Sequence, residues 1–139
     1  MLEALADGTI DVIASGHDPR GPEDKRLPFA DAAPGMAGAE VLLATTLGLV
    51  RDGVVDLPRA FALLAGNPAR LLGLHSGRLA KGAIADIVLF DPGEPWVVNK
   101  DLLRSRSKNT PFDESKMQGR VLRTLVAGET VYQYPGERN

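Results

Sequence analysis

The residues best placed for chemistry lie at positions 10–20, where the chain reads IDVIASGHDPR. Ile10, Val12 and Ile13 make a short apolar run rich in β-branched residues, and the spacing predicts a buried strand over 9–14. The run breaks into Ser15, Gly16, His17, Asp18, Pro19 and Arg20, a polar loop with titratable groups. α/β enzymes present their chemistry in this way: the strand fixes a position and the loop supplies the groups. The same residues also read as a plain strand-to-loop exit with a surface histidine and a turn proline.

The elements that must position this loop are bounded by length and composition. With 139 residues the chain can bury one modest core. It is 44% hydrophobic and 24% charged, with a formal net charge of −2, as in a soluble globular protein. No basic run stands ready to neutralise phosphates, and no apolar stretch approaches 20 residues, so neither a nucleic acid nor a membrane is an expected partner. The absence of cysteine excludes disulfides, thiolate metal sites and a cysteine nucleophile. It is compatible with a reducing compartment, and a cytoplasmic location is expected. The first seven residues lack the basic and apolar regions of a signal peptide. Leu2 and Leu5 instead suggest the last turns of a helix closed by Asp7 and Gly8, so the chain is expected to begin inside a larger fold.

From 16 to 38 neither strand nor helix period is sustained, and Pro19, Pro22, Pro28 and Pro34 punctuate the stretch. A loop of this length is functional or disordered. The charge run at 23–26 reads as solvated surface. Residues 37–50 predict a buried helix ended by Asp52 and Gly53. Asp56 followed by Leu57 and Pro58 is a helix start. Asn67 and Pro68 are expected to interrupt that helix, and Gly73 to close the next turn. Short strands are predicted at 77–79, 85–90 and 96–98. An aperiodic polar segment follows at 104–119, then a hairpin of 121–126 and 130–132 around Ala127 and Gly128. The polar end from Tyr134 is expected to fray.

Three stretches together resemble the C-terminal third of bacterial dihydroorotases, members of the amidohydrolase superfamily. The first is the 10–20 segment with Lys25, Arg26, Leu27, Pro28, Phe29 and the run APGMAGAE at 33–40. The second is NPARLLGL at 67–74, continued by GRLAKGAIADIVLFD at 77–91. The third is SRSKNTPF at 105–112 with Gly119, Arg120 and Val121 after it. The resemblance implies an α/β fold: the C-terminal part of a (β/α)8 metal-dependent hydrolase barrel with a small β-rich domain. Residues 1–74 would supply the last strand and helices of an incomplete barrel, 75–134 the C-terminal share of the β-rich domain, and 135–139 a tail. It also implies zinc-dependent interconversion of dihydroorotate and N-carbamoyl-aspartate in pyrimidine biosynthesis, with zinc polarising the amide and activating water.

The loop departs from the family pattern, Asp-His-Ala-Pro-His, by reading Gly16-His17-Asp18-Pro19-Arg20. Gly16 stands at the catalytic aspartate position and has no side chain to bind metal or take a proton. Asp18 is the candidate replacement; on an extended chain it would point to the same side about 6–7 Å further on, too far to serve the same ion. Arg20 stands at a substrate-contacting histidine, and its planar fork suits a substrate carboxylate. Pro34 and Gly35 match the backbone that approaches the dihydroorotate ring. His17 matches no metal ligand and reads as a loop histidine, and His75 as surface.

With two histidines in all and too few strands for a barrel of roughly 250 residues, this chain is expected to be a C-terminal fragment, inactive and without bound zinc when alone. Its longer parent would act on a small-molecule substrate. The alternative is a dihydroorotase-like pseudoenzyme that serves as a structural partner of aspartate transcarbamoylase. Open strand edges and half-covered helices predict a homo-oligomer. Asn109 and Thr110 are expected to order the 104–119 loop through hydrogen bonds.

Overall fold

A computed structural model describes residues 1–136. The chain begins with α1 (Leu2–Ala6), followed by an irregular segment that contains α2 (Pro22–Lys25). A 3₁₀ turn (Ala39–Val41) leads into α3 (Leu42–Arg51). Next come α4 (Leu57–Phe61), one π turn (Ala62–Gly66) and α5 (Asn67–Leu71). An antiparallel sheet of order β1-β2-β3 closes the fold, with β1 at Ile87–Val97, β2 at Lys116–Val126 and β3 at Glu129–Gln133.

The helical half is held by one apolar cluster. Leu5, Val55, Ala60 and Leu63 are buried together, with Ile10, Ile13, Leu49, Val50 and Val54 packed around them. Asp56 caps α4 as its sequence predicts: Oδ1 accepts the Arg59 amide at 2.8 Å. Asn67 and Pro68 do not interrupt the helix. The backbone widens into the π turn ahead of them, so Pro68 falls in the first turn of α5, where its missing N–H costs nothing. Gly73 then takes φ +67 and closes that turn.

The run at 9–14 does not form the predicted strand. It is extended, but among the described residues no strand lies beside it. Helix groups satisfy its backbone instead. The Ile13 amide donates to the Leu63 carbonyl at 3.1 Å. Asn67 Nδ2 donates to the Asp11 carbonyl and Arg59 Nη2 to the Ile10 carbonyl, both at 2.9 Å. Nor is the run fully buried: Val12 and Ile13 are half-covered.

The sheet differs from the predicted short strands in three ways. Residues 77–79 form no strand. Gly77, at φ +72, lies so close to the π turn that a Cβ there would stand 2.6 Å from the Ala65 carbonyl oxygen. The stretches 87–90 and 96–97 join into one bent strand, β1, whose register against β2 shifts between Leu89 and Phe90 and again between Asp91 and Pro95. Pro92 and Gly93 sit in that second irregularity, where they need no ladder partners. Finally, β2 starts at Lys116, inside the segment read as aperiodic. The β2–β3 hairpin forms as expected. Ala127 (φ +51) and Gly128 (φ +85) make a turn with two left-handed residues, which suits the twist of a two-residue hairpin.

Helix and sheet halves meet at α3 and β2. Gly119 has φ +101, and a Cβ on it would lie only 2.4 Å from Leu47 Cδ1, so glycine lets the helix rest against the strand. Arg51 Nη1 donates to the Gln118 carbonyl at 3.2 Å across the same seam. Tyr134 does not fray. Its amide donates to the Leu122 carbonyl at 2.7 Å and its ring stacks on the Arg120 guanidinium. Residues 137–139 lie outside the described residues.

Candidate functional site

The 16–20 loop runs beside the 35–39 segment. A parallel bridge pairs His17 with Met36, and the Asp18 amide donates to the Met36 carbonyl at 2.9 Å. His17 Nδ1 accepts the amides of both Gly38 and Ala39, each at 3.2 Å. The histidine read as an ordinary loop residue therefore ties this loop to the turn that opens the 39–51 helical run. Gly38 allows the approach, because a Cβ there would meet the Ser15 carbonyl oxygen at 2.7 Å.

Gly35 and Asp18 are in close contact. Gly35 adopts φ +108, and a Cβ on it would lie 2.4 Å from the Asp18 carbonyl oxygen and 2.8 Å from Oδ2. Only glycine fits. The Asp18 carboxylate is also engaged by Arg20, whose Nε and Nη2 lie 3.2 and 2.8 Å from Oδ2. Pro19 stands between the two and restricts the backbone that sets acid and base two positions apart. An aspartate and an arginine flanking one proline were the sequence signal for this pair.

The loop after the sheet's first strand completes the arrangement. Asn109 Nδ2 donates to the Gly35 carbonyl at 3.1 Å, and the Asn109 carbonyl accepts the Ala37 amide at 2.7 Å. Thr110 Oγ1 accepts the Phe112 amide at 3.4 Å, so both residues order the loop as expected. Glu40 Oε1 accepts the amides of Arg104 and Ser105 at 2.8 and 3.3 Å. Lys100 Nζ pairs with Asp113 Oδ2 at 2.7 Å, and the Lys100 amide donates to Oδ1 at 3.0 Å. The bond from the Lys100 ammonium, then that from its amide, holds the Asp113 carboxyl below the ordinary carboxylate range, and the same bond raises Lys100.

Gly16 sits at φ +58 with no atom within 4 Å of the place a Cβ would occupy. The position at the head of the loop therefore has room for a side chain and carries none. Pro34 is exposed just before Gly35, and His75 is exposed in the link after α5.

Zinc, the metal that the resemblance implies, needs three or more protein donors around one point. Among the described residues no three histidine, cysteine, aspartate or glutamate side chains gather in that way. Gly16 offers no ligand, His17 Nδ1 is turned to two backbone amides, and Asp18 is held by Arg20. These residues do not make a zinc site.

The chain resembles known proteins along almost its whole length. The model of the amidohydrolase family matches residues 1–131. The dihydroorotase of Geobacter sp. (strain M21) is 44% identical over 133 residues, covering 96% of this chain and 31% of that protein. The dihydroorotase of Pelobacter propionicus is 46% identical over 129 residues, covering 93% of this chain and 30% of that protein. The chain thus spans about a third of the length of these relatives. Among solved structures, the L-hydantoinase (dihydropyrimidinase) of Arthrobacter aurescens superposes with TM-score 0.87 at 31% identity, over 95% of this chain and 31% of that one. A dihydropyrimidinase from Brevibacillus agri NCHU1002 gives TM-score 0.89 at 26% identity, over 95% of this chain and 30% of that one.

Proposed function

Because the chain belongs to the amidohydrolase family, we propose that it is the C-terminal, substrate-facing segment of a dihydroorotase-like cyclic amidohydrolase. The reaction is the interconversion of dihydroorotate and N-carbamoyl-aspartate in pyrimidine biosynthesis. One observation carries this reading. The three stretches that resemble dihydroorotases lie far apart in sequence, yet the first and third meet at Gly35, through Asp18 on one side and Asn109 on the other. The second, at 67–91, braces the base of the loop through Asn67 and the Asp11 carbonyl.

In this reading the ring lies beside the Gly35 backbone, whose Cβ side is filled by Asp18, and the loop of Gly16, Asp18 and Arg20 borders it. The zinc of the family reaction is held by residues outside this chain. No helix among the described residues is long and apolar enough to cross a membrane.

A second reading is favoured by Gly16 itself. A catalytic carboxylate is missing from a position with room for one, and Asp18 is committed to Arg20. On that reading the longer protein is a pseudoenzyme, a structural partner of aspartate transcarbamoylase.

The test joins this chain to the portion of the Geobacter relative that it does not cover, then measures zinc content and dihydroorotate hydrolysis together. Zinc uptake with turnover above background supports the hydrolase. Zinc uptake without turnover overturns it and favours the scaffold.

A further inference from the structure

Arg20 carries a planar fork of donors suited to a carboxylate, and in this fold it already holds one. Both Nε and Nη2 converge on Asp18 Oδ2, at 3.2 and 2.8 Å. Asp18 is fixed from its other sides. Its amide donates to Met36, and its carboxylate lies in the space that a side chain at Gly35 would fill. The carboxylate thus sits between the guanidinium and the Gly35 backbone proposed to lie beside the ring.

We propose that Asp18 is a specificity-determining residue: as an internal carboxylate it occupies the Nε–Nη2 edge of Arg20 and closes that edge to carboxylates of the ligand. The inference rests on the reading of this loop as the ring-binding side of a cyclic amidohydrolase. A ring bearing a carboxylate then gains nothing here over the same ring without one. A dihydroorotate carboxylate is then held away from that edge. The two side chains are 44% and 49% exposed, so the pair is a weak latch, and removing its charge changes ligand affinity by about 1.5- to five-fold rather than by orders of magnitude.

The isotope-labelled chain reports this directly through the Arg20 Nε–H resonance, which Arg20→Gln assigns by removing it. Wild type and Asp18→Asn are each titrated with dihydroorotate and with dihydrouracil, the same ring lacking the carboxylate. Unchanged Met36 and Ala37 amide resonances in Asp18→Asn show that the loop keeps its place. Asp18→Ser, also uncharged, serves if Asp18→Asn disturbs them.

The expected result is a wild-type resonance that neither ring moves, and a variant resonance that dihydroorotate moves and dihydrouracil does not. A wild-type response to dihydroorotate as strong as the variant's overturns the proposal. So does a variant that answers to neither ring, or to both alike. Absence of turnover in the joined protein, together with a carboxylate-selective shift in the variant, fails the hydrolase reading and leaves the Asp18 latch supported.

Discussion

Asn109 reaches across 74 positions of sequence to donate its side-chain amide to the Gly35 carbonyl at 3.1 Å. That single bond fastens the loop before β2 to the segment that runs beside Gly16, Asp18 and Arg20. Its loss leaves a half-buried carbonyl without that donor. Asn109→Ala is expected to lower stability by about 1 kcal/mol and to speed hydrogen exchange at the Ala37 amide, which donates to the Asn109 backbone. Urea unfolding and amide exchange read the two effects separately.

His17 offers a sharper comparison, because its role depends on one acceptor atom. Nδ1 takes two backbone amides, Gly38 and Ala39. Asparagine can place its oxygen near the same point; leucine fills the space and accepts nothing. His17→Leu is expected to cost about 1–2 kcal/mol, and His17→Asn less than half of that in the same urea experiment. Equal losses would mean that the ring's bulk, and not its acceptor, holds the loop.

The Lys100–Asp113 pair sets a pH window. The Asp113 carboxyl is lowered in the fold, so its contribution is present above the ordinary carboxylate range and is lost as pH falls through and below it. Lys100 is raised, so its contribution holds below the ordinary lysine value and is lost only above it. The stability difference between wild type and Asp113→Asn is therefore expected to stay constant from about pH 5 to pH 9 and to shrink below that range. Unfolding curves across that range check it. A difference that grows in acid would contradict the pairing.

Much of this was legible in the sequence, and particular residues show where legibility ended. Asp56 and Pro58 gave the α4 start, and Gly128 the hairpin turn, because caps and turns are local chemistry. Gly16 and Arg20 were noticeable as departures from a pattern. The run at 9–14 forms no strand because a strand needs a neighbour, and this run borrows Arg59, Asn67 and Leu63 instead. The strands expected separately at 85–90 and 96–98 are one, because the ladder of β1 absorbs Pro92 and Pro95 in an irregular register. The roles of His17 and of the Asp18–Gly35 contact were hidden because they depend on segments brought together only by the fold.

On the proposed function, this chain carries the substrate-facing loops of a dihydroorotase-like site that lacks one carboxylate. Gly16→Asp tests it most directly, in the protein joined to the upstream portion of the Geobacter relative. Gly16 has open space around it, and aspartate is among the residues that tolerate its left-handed backbone, at a cost of about 1 kcal/mol. Dihydroorotate hydrolysis is expected to rise by about a hundredfold or more over the unsubstituted joined protein, the size of a restored acid–base group. A folded, zinc-loaded Gly16→Asp protein that turns over no faster would contradict the account.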